Sequence, residues 1–272
     1  MKVDLHTHST ASDGELSPDD LLQHAGEAGV GLLAITDHDT LDGYTKLCAG
    51  KSDCGVVAGI ELSTNWRSLG IHVVGLNVSP DNPVLLEGIR QQRQARAERA
   101  ATIAKKLEKA GFPGTLPEAQ RIAGESILGR PHFATHLVET GQVKDIQTAF
   151  RKYLGRGKIG DVRETWAPLS DIIAWITEAG GQAILAHPAK YRLTNLKLAE
   201  LARDFRDLGG HGIEVISGRQ DSALTRRLAS LAGRHDLLAS VGSDFHQYGS
   251  HNAGPGEVDR LPGSCNPVWE AW

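Results

Sequence analysis

His6 and His8 bracket a threonine in "VDLHTHSTASDG" (3–14), and Asp13 follows five positions after the second histidine. If Val3 to Leu5 is a strand, both imidazoles project from the same side of its end, because strand side chains alternate with period two. Two imidazoles so placed repel when charged or share a cation when neutral. Comparable groups recur downstream as Asp37-His38-Asp39, Glu61, His72, His187-Pro188 and Asp244-Phe245-His246. The candidate set is His6, His8, Asp13, His38, Glu61, His72, His187, Asp244 and His246. Six imidazoles and three carboxylates without a thiolate suit Mn, Fe, Zn or Co better than Ca or Mg alone. Nine ligands exceed what one ion takes, so two or three ions, bridged by a carboxylate such as Glu61 or Asp244, would use them. His24, His136, His211, His235 and His251 stand on helices or loops without such company and are read as structural.

What must position these residues is a set of short apolar runs: "KVDL" (2–5), "VGLLAIT" (30–36), "GVVAGIEL" (55–62), "IHVVGLN" (71–77), "GQAILA" (181–186), "GIEVIS" (212–217) and "LLASVG" (237–242). Apolar strands alternating with amphipathic helices imply a parallel sheet buried on both faces. In such α/β folds functional side chains gather at the carboxyl ends of strands. His72 begins its run instead, but a hairpin between Leu62 and Ile71 would turn that strand antiparallel and return His72 to the edge that holds Glu61. Trp66 and Arg67 in that hairpin either cover the site or pack elsewhere. In "SPDDLLQHAGEAG" (17–29), Ser17 suits the N-cap, Pro18 the first helical position and Gly29 the stop. "LSDIIAWITEAGG" (169–181) repeats this with Ser170 as cap and Gly180 as terminator. From about 80 to 165 the rhythm breaks: one long helix over 82–111, shorter ones near 117–124, 131–140 and 145–157, and no good strand. The chain therefore divides into an α/β part, 1–79 with 166–272, and a helical insertion, 80–165, expected to cover the substrate.

The 272 residues carry a net charge of −4, which provides no global polycation for long nucleic acids, so an anion site must be local. No apolar run approaches a membrane span or a signal peptide. Three cysteines (Cys48, Cys54, Cys265) form neither a disulfide framework nor a CxxC zinc pattern, which fits a cytoplasmic protein. Residues 84–110 contain seven basic and three acidic side chains, a local +4, and Arg90, Arg93, Arg96 and Arg99 drift around one side of that helix. Arg130 and His132 in "GRPHFA" (129–134) are candidates for phosphate binding, and Ser12 and Asn65 for contact with phosphate or ribose.

"DLHTHS", "TDHDT", "GIEL", "AHP" and "GSDFH", in this order, resemble the PHP (polymerase and histidinol phosphatase) superfamily along nearly the whole chain. That resemblance implies a distorted (β/α)7 TIM-like barrel with a helical insertion and two or three divalent ions, manganese foremost, that hydrolyse phosphate esters. The insertion and "GRPHFA" resemble a stand-alone branch that removes the 3′-phosphate from nucleoside 3′,5′-bisphosphates and shortens small RNA fragments from the 5′ end. That branch usually carries an aromatic where this chain has "GKIGDV" (157–162). Carried onto matching positions, His6, His8, Glu61 and Asp244 would hold one ion. Glu61 would bridge to a second held by His72 and His187, and Asp13, His38 and His246 would hold a third. His6, His8, Glu61, Asp244 and His246 would then carry the catalysis, with a metal-bridging hydroxide attacking phosphorus in line. No GxSxG or comparable nucleophile motif offers a covalent route. The expected partners are a nucleotide or short RNA, with no membrane and no stable protein partner. Two other readings are a histidinol-phosphate-type monoesterase, which the basic insertion disfavours, and a non-catalytic metal-binding accessory module, which the completeness of the ligand set disfavours.

Overall fold

Strand order in the sheet follows chain order, β1 to β7, in a computed structural model that describes residues 1–47, 54–155, 157–162, 166–249 and 252–272. Cys48 and His251 lie outside the described residues. The chain begins with β1 (Lys2–Thr7), α1 (Pro18–Glu27), β2 (Val30–Ile35), the single turn α2 (Asp42–Thr45), β3 (Gly55–Trp66) and β4 (Leu69–Leu76). Next come α3 (Pro83–Lys109), α4 (Thr115–Ala123), α5 (Arg130–Glu139) and α6 (Ile146–Ala149), which runs on into a π-helical turn over Phe150–Leu154. The chain then returns through α7 (Leu169–Glu178), β5 (Gln182–Leu185), α8 (Asn195–Asp207), β6 (Gly212–Ser217), α9 (Ser222–Arg234) and β7 (Leu238–Gly242).

Neighbouring strands pair in parallel except around β4, which runs antiparallel to both β3 and β5. The sheet nearly closes on itself. Just past β7, Asp244 N donates to His6 O (2.8 Å) and His8 N donates to Phe245 O (2.9 Å), which brings the ends of β7 and β1 together. The result is a seven-stranded distorted TIM-like barrel. Along β1, Val3 and Leu5 join the main apolar core while Asp4 and His6 alternate with them onto the other face, as the pleat requires. Both sets are buried, which explains why the strands read as near-continuous apolar runs.

The β3–β4 hairpin is tighter than its sequence suggests. Trp66 pairs with Leu69, leaving only Arg67 and Ser68 in the turn, and Arg67 adopts φ 57°. Trp66 is buried and donates Nε1 to Asp204 Oδ2 (2.9 Å), while Arg67 lies over its ring and pairs with Glu200 (2.8 Å). Both side chains are thus committed to the α8 side of the barrel. Helix ends follow local rules more closely. Ser17 caps α1 through Asp20 N, and Gly29 leaves it at φ 77°. α7 departs from expectation: it starts at Leu169 behind Pro168, so Ser170 sits inside the first turn and caps nothing.

The chain forms two compact units, residues 1–89 with 167–272, and residues 90–166. The division falls within α3, because Leu85 and Ile89 of its first turns are packed into the barrel core. The second unit contains no strand among the described residues, and it has its own apolar core, including Ile103, Leu107, Phe133, Leu137 and Leu154. Among the described residues no helix is long and apolar enough to cross a membrane.

Candidate metal centre

Glu61 stands at the centre of the nine candidate residues, fully buried on β3. Its Oε1 lies 2.9 Å from both His72 Nδ1 and His187 Nε2. Its Oε2 lies 2.9 Å from His38 Nδ1 and 3.4 Å from the Nε2 atoms of His6 and His8. One carboxylate therefore faces five imidazoles drawn from the ends of β1, β2 and β5 and from the middle of β4, which begins at Leu69, two residues before its apolar run. His72 reaches this group because the β3–β4 hairpin pairs it with Ser63, beside Glu61.

Asp244 contributes from beyond β7. Its Oδ1 lies 3.5 Å from His6 Nε2, His8 Nε2 and His246 Nδ1, and its Oδ2 meets the ammonium of Lys190. A third group forms around Asp13 Oδ1, with His246 Nε2 at 3.5 Å, His38 Nε2 at 3.9 Å and His8 Nδ1 at 4.0 Å. The His8 and His246 rings stack at 3.9 Å. All nine predicted residues converge, but the grouping differs in detail from the one the resemblance implies. His8 faces Asp13 as well as Glu61, and His38 faces Glu61 and His72 as well as Asp13. The centre also grades in exposure: His6, His8 and Glu61 are sealed, Asp13 is 16% exposed, and His72 and His246 are about one-third exposed.

Such a cluster is hard to explain without a cation. His6 Nε2 and His8 Nε2 stand 3.1 Å apart, and neither Glu61 Oε2 nor Asp244 Oδ1 has a hydrogen-bond partner among the described residues, although both are buried. Buried carboxylate oxygens normally accept hydrogen bonds or bind metal, and these face several imidazole nitrogens without a hydrogen bond to any of them. Atoms that share one ion at about 2.1 Å stand ~3.0–3.4 Å from one another, close to the separations around Glu61 Oε2. The donor set and its geometry fit divalent ions.

Electrostatics agree. Burial alone would raise Glu61, yet His72, His38 and His6 around it hold it well below the ordinary carboxylate range. Asp244 is likewise held down by His6 and Lys190 against the effect of burial. Burial, reinforced by the neighbouring His246, lowers His8 to about 3, which leaves its imidazole neutral and able to ligate. His6 behaves oppositely: burial would lower it, but Glu214, Glu61 and Asp244 raise it well above 6.5.

Several supporting residues were not among the nine candidates: Asp4, Asp37 and Asp39 lie inside the quoted motifs, whereas Glu214 carries no motif signal. Glu214 of β6 accepts from His6 Nδ1 and from the His187 backbone N–H, each at 2.5 Å. Asp37, pushed by burial up to about 6, accepts from Ser9 N, Ser9 Oγ (2.7 Å) and Ser12 Oγ (2.6 Å). Ser12, a candidate substrate contact, thus spends its hydroxyl proton on holding the loop that presents Asp13. Asp39 accepts from Ser63 N and Ser63 Oγ, so "DHD" clamps its central histidine from both sides. Asp4 ties β1 to the far end of the chain by accepting from Ser243 N (2.8 Å) and Gly256 N (2.7 Å). His187, Asp244 and Asp39 all adopt positive φ (27°, 52° and 50°), the left-handed region that non-glycine residues occupy when their surroundings impose it. Asn65 lies two pleats beyond Glu61 on the same face of β3 and is half-buried.

Arg130 and His132 belong to the helical unit. Gly129 caps α5, and its N–H donates to His132 Nδ1 (3.0 Å). Arg130 donates from Nη1 to Leu154 O (3.2 Å). In the same unit, Arg96 and Arg99 lie over the Trp166 ring at 5.2 and 5.7 Å.

A near-closed α/β barrel that gathers carboxylates and imidazoles able to bind metal has the form of a TIM-like metal-dependent hydrolase. Residues 4–112 match the PHP domain, and the chain belongs to the PHP family. It is 41% identical to a 3′,5′-nucleoside bisphosphate phosphatase of Chromobacterium violaceum, over 98% of this chain and 95% of that one. It is also 41% identical to the 5′-3′ exoribonuclease Rnm of Escherichia coli, over 99% of this chain and 93% of that one. A solved structure from Chromobacterium violaceum, described as an amidohydrolase with bound sulfate and no metal, is 39% identical and superimposes with a TM-score of 0.90, covering 100% of this chain and 95% of that one.

Proposed function

We propose that this enzyme removes the 3′-phosphate of nucleoside 3′,5′-bisphosphates, such as adenosine 3′,5′-bisphosphate, and acts at the same centre on short 5′-phosphorylated oligoribonucleotides. The observation that carries the reading is the convergence of nine ligand-type side chains around buried oxygens of Glu61 and Asp244 that accept no hydrogen bond. Near-equal identity to a bisphosphate phosphatase and to an exoribonuclease brings both substrates into the reading. Sulfate binding by the 39%-identical structure is in keeping with a phosphate-sized anion.

Two or three divalent ions, with manganese the expected metal, would be held by His6, His8, Glu61 and Asp244, by Glu61, His72 and His187, and by Asp13, His38 and His246. When bound they would supply a water of lowered pKa and positive charge for the phosphoryl oxygens. The chain's own contribution is orientation. Glu61 holds imidazoles from four strands in one array, and Asp37 and Asp39 fix His38 and the Asp13 loop beside them. Lys190, paired with Asp244 at the open side, offers an ammonium to a phosphate oxygen. Arg130 and His132 remain the candidates for phosphate binding that the resemblance of "GRPHFA" suggests, with His132 Nδ1 accepting from the Gly129 N–H. Ser12, committed to Asp37, serves the loop, while Asn65 remains a candidate for a ribose contact.

The test is a panel with manganese-loaded protein: adenosine 3′,5′-bisphosphate, AMP, histidinol phosphate and a 5′-phosphorylated short RNA. The reading expects fast release of phosphate from the bisphosphate, processing of the RNA, and little turnover of AMP or histidinol phosphate. Equal, slow turnover of all four would overturn the nucleotide assignment.

A further inference from the structure

β6 supplies no ligand at its carboxyl end, yet it places one carboxylate under the centre. Glu214 is 1% exposed and spends both oxygens on the metal-ligating residues. The His6 Nδ1–H donates to Oε1 (2.5 Å), and the backbone N–H of His187 donates to Oε2 (2.5 Å). These partners belong to different groups: His6 faces Asp244 and His8, whereas His187 faces His72 and the other oxygen of Glu61. His187 is also a residue with positive φ, so its position is imposed by what surrounds it.

We propose that Glu214 is a positioning residue that couples two metal positions. Bound to Nδ1, it holds the His6 ring with Nε2 facing His8 Nε2, Glu61 Oε2 and Asp244 Oδ1, so that Nε2 is the nitrogen that would ligate once an ion replaces its proton. Bound to the His187 amide, it holds the turn that aims the His187 ring at Glu61. A ligating histidine whose second nitrogen is anchored to a carboxylate is both oriented and made more basic. Here a single carboxylate anchors ligands of two ions, so its loss weakens both positions together.

The inference rests on the metal-site reading and is tested by metal binding, not by turnover. Wild-type chain and Glu214→Gln, nearly identical in shape, are stripped with chelator. Manganese stoichiometry and affinity are then measured by equilibrium dialysis, with thermal unfolding as a control for folding. The proposal expects a folded variant that binds the ions of both positions about 10- to 100-fold more weakly, with Glu214→Asp recovering part of the loss. Unchanged affinity in Glu214→Gln would overturn it while leaving the metal reading intact. Weakening confined to one ion would overturn the coupling. Absence of manganese binding by the wild type would overturn it together with the metal reading. A measurement on the wild type alone guards against a variant that misfolds. In nitrogen-15 spectra of the zinc-loaded chain, His6 is expected to carry its proton on Nδ1, and a proton on Nε2 would contradict the proposal.

Discussion

Glu61 shows how one side chain can organise a polar interior. It is fully buried and surrounded by imidazoles, and those imidazoles, not solvent, keep it ionised. His8 is the complementary case, lowered to about 3 and so kept neutral by burial and by the nearby His246. In the unfolded chain it titrates near 6.5, so between those values the unfolded state binds a proton that the folded state refuses. The His8 contribution to stability is therefore complete above about 6.5 and is lost as the pH falls towards about 3, by up to ~1.4 kcal/mol per pH unit. In urea unfolding of the chelator-treated protein, wild type is expected to lose stability more steeply than His8→Asn between pH ~7 and ~5. Equal slopes would contradict the burial argument. The nine ligand-type residues were legible in the sequence because most follow directly on an apolar run and all stand in company with their own kind, although Glu61 and His72 prove to lie within β3 and β4, which extend past the runs read from the sequence. Glu214 was not, since one carboxylate within "GIEVIS" has no periodic partner and acquires its role only when β6 meets β1 and β5 in space.

At the scale of elements, the centre depends on how closely β7 approaches β1. Gly242 ends β7 against His6, and a methyl group there would overlap His6 Cβ and stand 2.8 Å from its backbone N. Gly242→Ala is expected to cost about 1–3 kcal/mol, as overpacking of a buried site does, and to weaken metal binding by displacing His6. Gly233 in α9 has open space around it, so Gly233→Ala is expected to be neutral or to stabilise by up to ~1 kcal/mol through helix propensity. Thermal unfolding of both variants checks the contrast, and a tolerated Gly242→Ala would contradict the close β1–β7 contact. Strand positions and the antiparallel return of β4 could be read from apolar runs and from the placement of His72. The hairpin turn and the α7 cap could not. Strand pairing continued through Trp66, which gains core burial and a bond to Asp204, and Pro168 began α7 before Ser170 could cap it.

Across the whole molecule, a chain of net charge −4 places a local excess of basic residues on the long helix that leaves the barrel. The helical unit was visible in the sequence as an interruption of the strand rhythm. Its first boundary lies further along the chain than the expected residue 80, because α3 is one continuous helix whose first turns belong to the barrel core. If this unit contributes substrate binding through Arg130, Arg130→Ala is expected to raise KM for adenosine 3′,5′-bisphosphate by about tenfold or more with kcat little changed, the signature of lost uniform binding. A fall in kcat with KM unchanged would instead place Arg130 in the chemistry. The central claim is that the convergent carboxylates and imidazoles form a metal centre that carries phosphate-ester hydrolysis. Its most direct test is hydrolysis of adenosine 3′,5′-bisphosphate by chelator-stripped protein titrated with manganese while bound metal is counted. The account predicts negligible turnover in the stripped protein and recovery that saturates at two or three ions per chain. Full turnover without metal, or saturation without any bound ion, would contradict it.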